Sequence, residues 1–184
     1  MLNLKQKILK EAAKLFSDFG FLGVSMEDIA KKLGTSKAAI YYHFKNKKEL
    51  YLNVLENALQ NLKEKIAKKV SLSKSQKEIV QKAIEAYLEF SLKEKNLIKS
   101  LSLKLSKDTQ RPKEDSEIKN YIQQLREKIQ LLFQNLLEKE ASFISFLLGT
   151  VDRIIIESSL IDKKINTKKV TSQIIKIFFP EYAQ

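Results

Sequence analysis

Residues 33–50 read Leu33-Gly34-Thr35-Ser36-Lys37-Ala38-Ala39-Ile40-Tyr41-Tyr42-His43-Phe44-Lys45-Asn46-Lys47-Lys48-Glu49-Leu50, and this stretch decides the fold. Gly34 stops one short helical pattern, as only a residue comfortable at positive φ turns the chain so tightly. Thr35 or Ser36 then caps a second short helix, Lys37 to about His43, with Ile40 and Phe44 facing inward. Asn46-Lys47-Lys48-Glu49 is a capping box. It opens a long helix with Leu50, Val54, Leu55, Ala58, Leu62 and Ile66 in register.

Upstream, Leu4, Ile8, Ala12, Leu15, Phe16 and Phe19 recur at helical spacing, and Gly20 follows as an expected left-handed cap. Ser25-Met26-Glu27-Asp28 is another capping box, since the Ser25 hydroxyl can take the Asp28 amide while the carboxylate reaches back. The helix it starts sets Met26, Ile29, Ala30 and Leu33 on one face. Two short helices joined at Gly34 and packed on a longer first helix make a helix-turn-helix unit.

Composition narrows the remaining choices. The chain has 184 residues, 43% hydrophobic and 30% charged, with four glycines, two prolines, one histidine and no cysteine. Sandwiches and barrels need turn-makers at nearly every corner, so the all-β classes are excluded. A disulfide framework, a thiolate zinc site and a cysteine nucleophile need cysteine, and paired-histidine metal sites need more than His43. Nothing pairs His43 with a carboxylate or nucleophile at helical spacing, so no catalytic residue, metal ligand or cofactor is expected. The formal net charge is +12, which speaks to anionic partners. Residues 1–47 carry nine lysines against four acids, a net of +5 in about a quarter of the chain. Lysine-rich codon usage or a hot habitat would raise the total but not this gradient. The start of the chain lacks a continuous apolar run, and the stretch 143–161 is interrupted by Asp152, Arg153 and Glu157, which indicates a cytoplasmic protein.

The rest reads as a second helical body. Ile79, Val80, Ala83, Ile84, Tyr87 and Leu88 form one stripe, and Ile118, Tyr121, Ile122, Leu125, Ile129, Leu132, Phe133 and Leu136 another. Residues 100–106 alternate with period two but have no strand partner, so a short irregular helix is expected. Residues 141–161 form a helix apolar almost all round, and 167–179 a final one. A helix apolar on most faces must be covered on most faces, and a second copy of the chain would cover this one. The expectation is an all-α protein: a three-helix unit over 1–46, a connecting helix 46–69, and a helical body over 70–184.

With Ile40 and Phe44 inward, Lys37, Ala38 and Tyr41 point the opposite way, a surface shaped for close approach. Ser25 and Thr35 stand at helix N-termini, where amides and the dipole attract phosphate. Lys47 opens the next helix, and Tyr42 and His43 lie to the side. Over residues 5–55 this pattern closely resembles the DNA-binding signature of the TetR family of bacterial transcriptional repressors. The resemblance implies a homodimer that binds a double-stranded operator and is released by a ligand held in the C-terminal body. It further implies Lys37, Ala38 and Tyr41 in the major groove, with Ser25, Thr35, Tyr42, His43 and Lys47 on phosphates. Lys31 and Lys32 read as solvated charges.

For the body, the expected ligand-lining residues are Ile84, Tyr87, Leu88, Leu101, Leu105, Tyr121, Leu125 and Phe133, overwhelmingly apolar. They favour a small lipophilic effector, neutral or weakly anionic, whose polar end the two tyrosines could hold. The expected dimer seam pairs 141–161 and 167–179 with their symmetry mates through Leu148, Val151, Ile155 and Phe178. The alternative is a basic helical protein on anionic membrane surfaces, disfavoured by dispersed lysines and the absence of Trp.

Overall fold

A computed structural model describes residues 3–94, 114–160 and 164–182. Among them are eight α-helices and no strand: α1 (Leu4–Phe19), α2 (Met26–Leu33), α3 (Lys37–His43), α4 (Lys47–Val70), α5 (Gln76–Lys93), α6 (Glu114–Leu137), α7 (Ala141–Leu160) and α8 (Thr167–Phe178). A 3-10 turn, Pro180–Tyr182, follows. The period-two stretch 100–106 lies outside the described residues.

The helix starts follow from local chemistry. Asn3, Ser25, Ser36, Asn46, Ser75 and Asn166 each accept an amide of the first turn, satisfying donors that a helix start leaves orphaned. The box at Asn46 is shifted by one residue: Asn46 accepts the Glu49 amide, but Glu49 reaches back to the Lys45 amide at 2.8 Å. Gly20 has positive φ (71°), yet its ψ of 175° is not left-handed helical, so α1 ends in an extended turn rather than the expected cap.

Ile8, Ala12 and Phe16 of α1, Met26, Ile29 and Ala30 of α2, and Ile40 and Phe44 at α3 close one buried knot with Leu50 and Val54 of α4. Each Ile, Leu, Val, Met or Phe among them contributes about 1.5–3 kcal/mol relative to exposure. Further along α4, Leu59, Leu62 and Ile66 continue the same core toward Val80, Ala83, Ile84 and Leu88 of α5. Among the described residues α4 thus carries apolar continuity from the three-helix unit into the body. Polar contacts follow it: Lys48 pairs with Glu117 of α6, the Tyr121 hydroxyl donates to Glu56 at 2.6 Å, and Lys65 and Lys69 both meet Glu89.

In the body, α7 differs from the expectation. Leu148, Val151 and Ile155, expected in the dimer seam, are each about 1% exposed inside their own chain, against α5 and α6. The outward strip of α7 instead shows Phe146 and Leu160. Phe178 is half-buried, its ring edge-on to Phe143 at 5.7 Å. The misassignment has a simple cause: a helix apolar on both faces gives no phase to say which face meets its own chain.

The inner face of α7 also carries Asp152, which is buried. Its carboxylate accepts from the Tyr87 hydroxyl at 2.8 Å and pairs with Arg126 of α6. Burial pushes the Asp152 carboxyl up, opposed by the Arg126 charge and the Tyr87 hydrogen bond. Breaking such a pair from one side costs about 3–5 kcal/mol, because a buried charge is left uncompensated.

Because Ile155 is interior, Ile155→Asp should abolish or strongly weaken the cooperative urea transition of the chain itself, by several kcal/mol. Phe146→Asp should keep the wild-type far-ultraviolet circular dichroism. Equal loss of helicity in both variants would put the interior face elsewhere.

Candidate nucleic-acid interface

The turn between α2 and α3 is built by Gly34, which adopts φ 64° and ψ 33°, the left-handed region. Its amide donates to the Lys31 carbonyl at 3.2 Å and the Thr35 amide donates to the Ala30 carbonyl at 3.0 Å. This paired closure uses both amides to finish α2. The Thr35 amide is therefore not free for an anion, and Ser36 is the residue that caps α3, accepting the Ala39 amide at 3.1 Å.

The underside of α3 is fixed by Ile40 and Phe44, 0% and 1% exposed. That phase turns Lys37, Ala38, Tyr41 and Tyr42 to the outside, with Tyr42 86% exposed. The Lys37 ammonium lies 5.9 Å from the Tyr41 ring centre, which props the side chain over the helix. His43 is half-buried and packs edge-on against Tyr42 at 5.1 Å. The three residues expected at bases thus share one exposed face, with Tyr42 and His43 beside them.

Ser25 and Lys47 stand differently. Ser25 donates through its hydroxyl (2.6 Å) and its amide (2.8 Å) to the Asp28 carboxylate, and accepts the Asp28 amide at 3.1 Å. Both of its donors are turned to its own helix. The Lys47 ammonium donates to the Phe21 and Val24 carbonyls at 2.9 and 3.0 Å and sits 4.3 Å from the Phe21 ring centre. The Ser25 bonds are the capping box expected from the sequence, whereas the partners of Lys47 are not legible from spacing, although a lysine at the first position of a helix, against the dipole, signals that its charge must be answered nearby. Gly23 adds a constraint that spacing does not show: a Cβ there would stand 2.4 Å from the Phe19 carbonyl oxygen, so any larger residue would force the backbone to shift.

Of the expected ligand-lining residues, Ile84, Leu88, Leu125 and Phe133 are buried core. Tyr87 is buried against Asp152, and Tyr121 spends its hydroxyl on Glu56 of α4 rather than pointing inward. Leu101 and Leu105 lie outside the described residues. A half-open cleft of about 510 Å³ lies instead between α1, α4 and the end of α5, lined by Gln6, Ala13, Asn57, Asn61 and Glu94 among others. Among the described residues no helix is long and apolar enough to cross a membrane.

A short helix held by its underside, presenting lysine, alanine and tyrosine outward after a glycine turn, is a helix-turn-helix reading head. Residues 8–54 match the model of bacterial regulatory proteins of the tetR family. Over these residues the chain carries the DNA-binding segment of the TetR family. It is 43% identical over 54 residues to the biofilm operon icaADBC HTH-type negative transcriptional regulator IcaR of Staphylococcus epidermidis, covering 29% of each chain. It is 31% identical over 140 residues to the uncharacterized HTH-type transcriptional regulator YerO of Bacillus subtilis, covering 72% of this chain and 45% of that one. These matches span less than half the length of either relative. Among solved structures, the transcriptional regulator FadR of Bacillus subtilis in complex with stearoyl-CoA superposes with a TM-score of 0.74 at 16% identity, covering 94% of this chain and 96% of that one. At that identity the likeness is one of fold. The relatives are named as regulators and not as enzymes, and they favour a DNA-directed role over the membrane-surface alternative.

The Ser25 hydrogen bonds hold the Asp28 carboxyl below its ordinary value of 3.8. A lowered folded-state value means that the stabilisation is present above pH 3.8 and is lost as pH falls through the folded value. The stability gap between wild type and Asp28→Asn should accordingly be constant above about pH 5 and close in stronger acid, measured by urea melts at a series of pH values. A gap that widens in acid would contradict the capping assignment.

Proposed function

We propose that the chain is a ligand-responsive transcriptional regulator, acting in the cytoplasm as a repressor that binds a pseudo-palindromic operator as a homodimer. The observation that carries this reading is the exposed face of α3, with Ile40 and Phe44 locked beneath it. Lys37, Ala38 and Tyr41 would meet base edges in the major groove, while Tyr42, His43 and the Thr35 hydroxyl would meet phosphates, which set register but carry no sequence information. The named role of the IcaR relative as a negative regulator supports repression.

The homodimer would use the outward strip of α7, where Phe146 is exposed beside Gly149 and Arg153, together with the exposed Ile177 of α8. Phe178 would join them from its half-buried position. Two copies of such a strip form an isologous contact that closes on itself. The effector would be a lipophile with one polar or anionic end. The stearoyl-CoA held by the FadR structure of the same fold supports this class.

Selection from random duplexes should enrich a motif with two-fold symmetry, bound with an affinity that falls linearly in log salt. Tyr41→Ala should loosen base preference at a cost of roughly 1–3 kcal/mol without changing the melting temperature. Failure to enrich any motif would contradict the reading.

For the effector, a thermal-shift panel of fatty acids, acyl thioesters, hydrophobic cations and sugars is decisive. A lipophilic neutral or anionic compound should raise the melting temperature with concentration and weaken DNA binding. Stabilisation by cations or sugars alone would contradict the assigned class.

A further inference from the structure

The positive end of a helix dipole disfavours lysine at its first position, yet Lys47 opens α4. Its charge is answered from the preceding loop. The ammonium donates to the Phe21 carbonyl at 2.9 Å and the Val24 carbonyl at 3.0 Å, and the Phe21 ring covers it at 4.3 Å. Two of its three donors are thereby used, and an aromatic face shields the group from solvent.

The loop so held is the one that delivers α2. Phe21 packs on Tyr51 at 4.9 Å and on Phe16 at 6.3 Å. A Cβ on Gly23 would collide with the Phe19 carbonyl, and Val24 is buried. Val24 directly precedes Ser25, the cap of α2, and α2 leads through Gly34 into α3. The place where Lys47 grips the loop therefore sets the course of both helices relative to α4.

We propose that Lys47 is a positioning residue that fastens the α1–α2 loop to the start of α4, fixing the angle of the reading head, and makes no phosphate contact. Its consequence for DNA rests on the regulator reading above. A phosphate-bound lysine displaces condensed counterions and contributes about 0.9 to the slope of log affinity against log salt. A lysine spent on two carbonyls and a ring contributes nothing to that slope, but its loss loosens the loop.

The test compares full-length wild type with Lys47→Met and Lys47→Gln, the latter keeping one donor in case the former fails to fold. The probe is a duplex enriched by selection with the wild-type protein. Binding is measured across a salt series, and amide hydrogen exchange over residues 22–29 is followed in the free protein. Lys47→Met should bind about tenfold more weakly at every salt concentration with the wild-type slope, and these amides should exchange about tenfold faster, the scale of a lost charged hydrogen bond. Lys47→Gln should fall between. A slope reduced by about 0.9, or exchange that does not change, overturns the proposal. If no duplex is enriched while exchange accelerates as described, the regulator reading fails and the loop fastening stands.

Discussion

The structure depends on the burial of Ile40 and Phe44 beneath α3. A helix of seven residues has no standing of its own in water, because nucleation costs more than so few backbone hydrogen bonds return. What holds α3 is its apolar underside, completed by Ile8, Ala12, Phe16 and Ile29 from the two helices before it. The same burial decides which residues face outward. Lys37, Ala38 and Tyr41 are a surface because Ile40 and Phe44 are a core.

That knot reaches the rest of the molecule through α4. Leu50 and Val54 close the head, Leu59, Leu62 and Ile66 enter the body, and no polar gap separates the two sets. Adjacent lysines divide the polar work at its first turn: Lys47 grips the loop before α2, whereas Lys48 pairs with Glu117 of α6. Exposed pairs such as Lys48–Glu117 and Lys128–Glu56 are worth little each. Their position matters more than their energy, since they lie where a shift of α6 would be felt by α4.

Much of this was legible in the sequence where local chemistry and periodicity agreed. Ser25 and Asp28, Gly34, Ser36 or Thr35, and the phase of Ile40 and Phe44 each specify geometry within a few residues, and the helix-turn-helix follows from them. The face of α7 is not legible, because a helix apolar all round carries no phase; Leu148, Val151 and Ile155, expected in the dimer seam, turn into their own chain for that reason. The partners of Lys47, Tyr121 and Asp152 were hidden for a different one. Each lies more than twenty residues away along the chain, and single-sequence patterns encode neighbours along a helix, not across the fold. Arg126 and Asp152 did leave a trace, as charges within otherwise apolar stripes.

The central claim is that the outward face of α3 reads the major groove, twice, through a two-fold dimer. Guanine N7 atoms line that groove and are methylated by dimethyl sulfate unless covered. A duplex enriched by selection should show two protected clusters about one helical turn apart, both lost in Tyr41→Ala. Protection confined to minor-groove positions, or a single cluster unaffected by Tyr41→Ala, would contradict it.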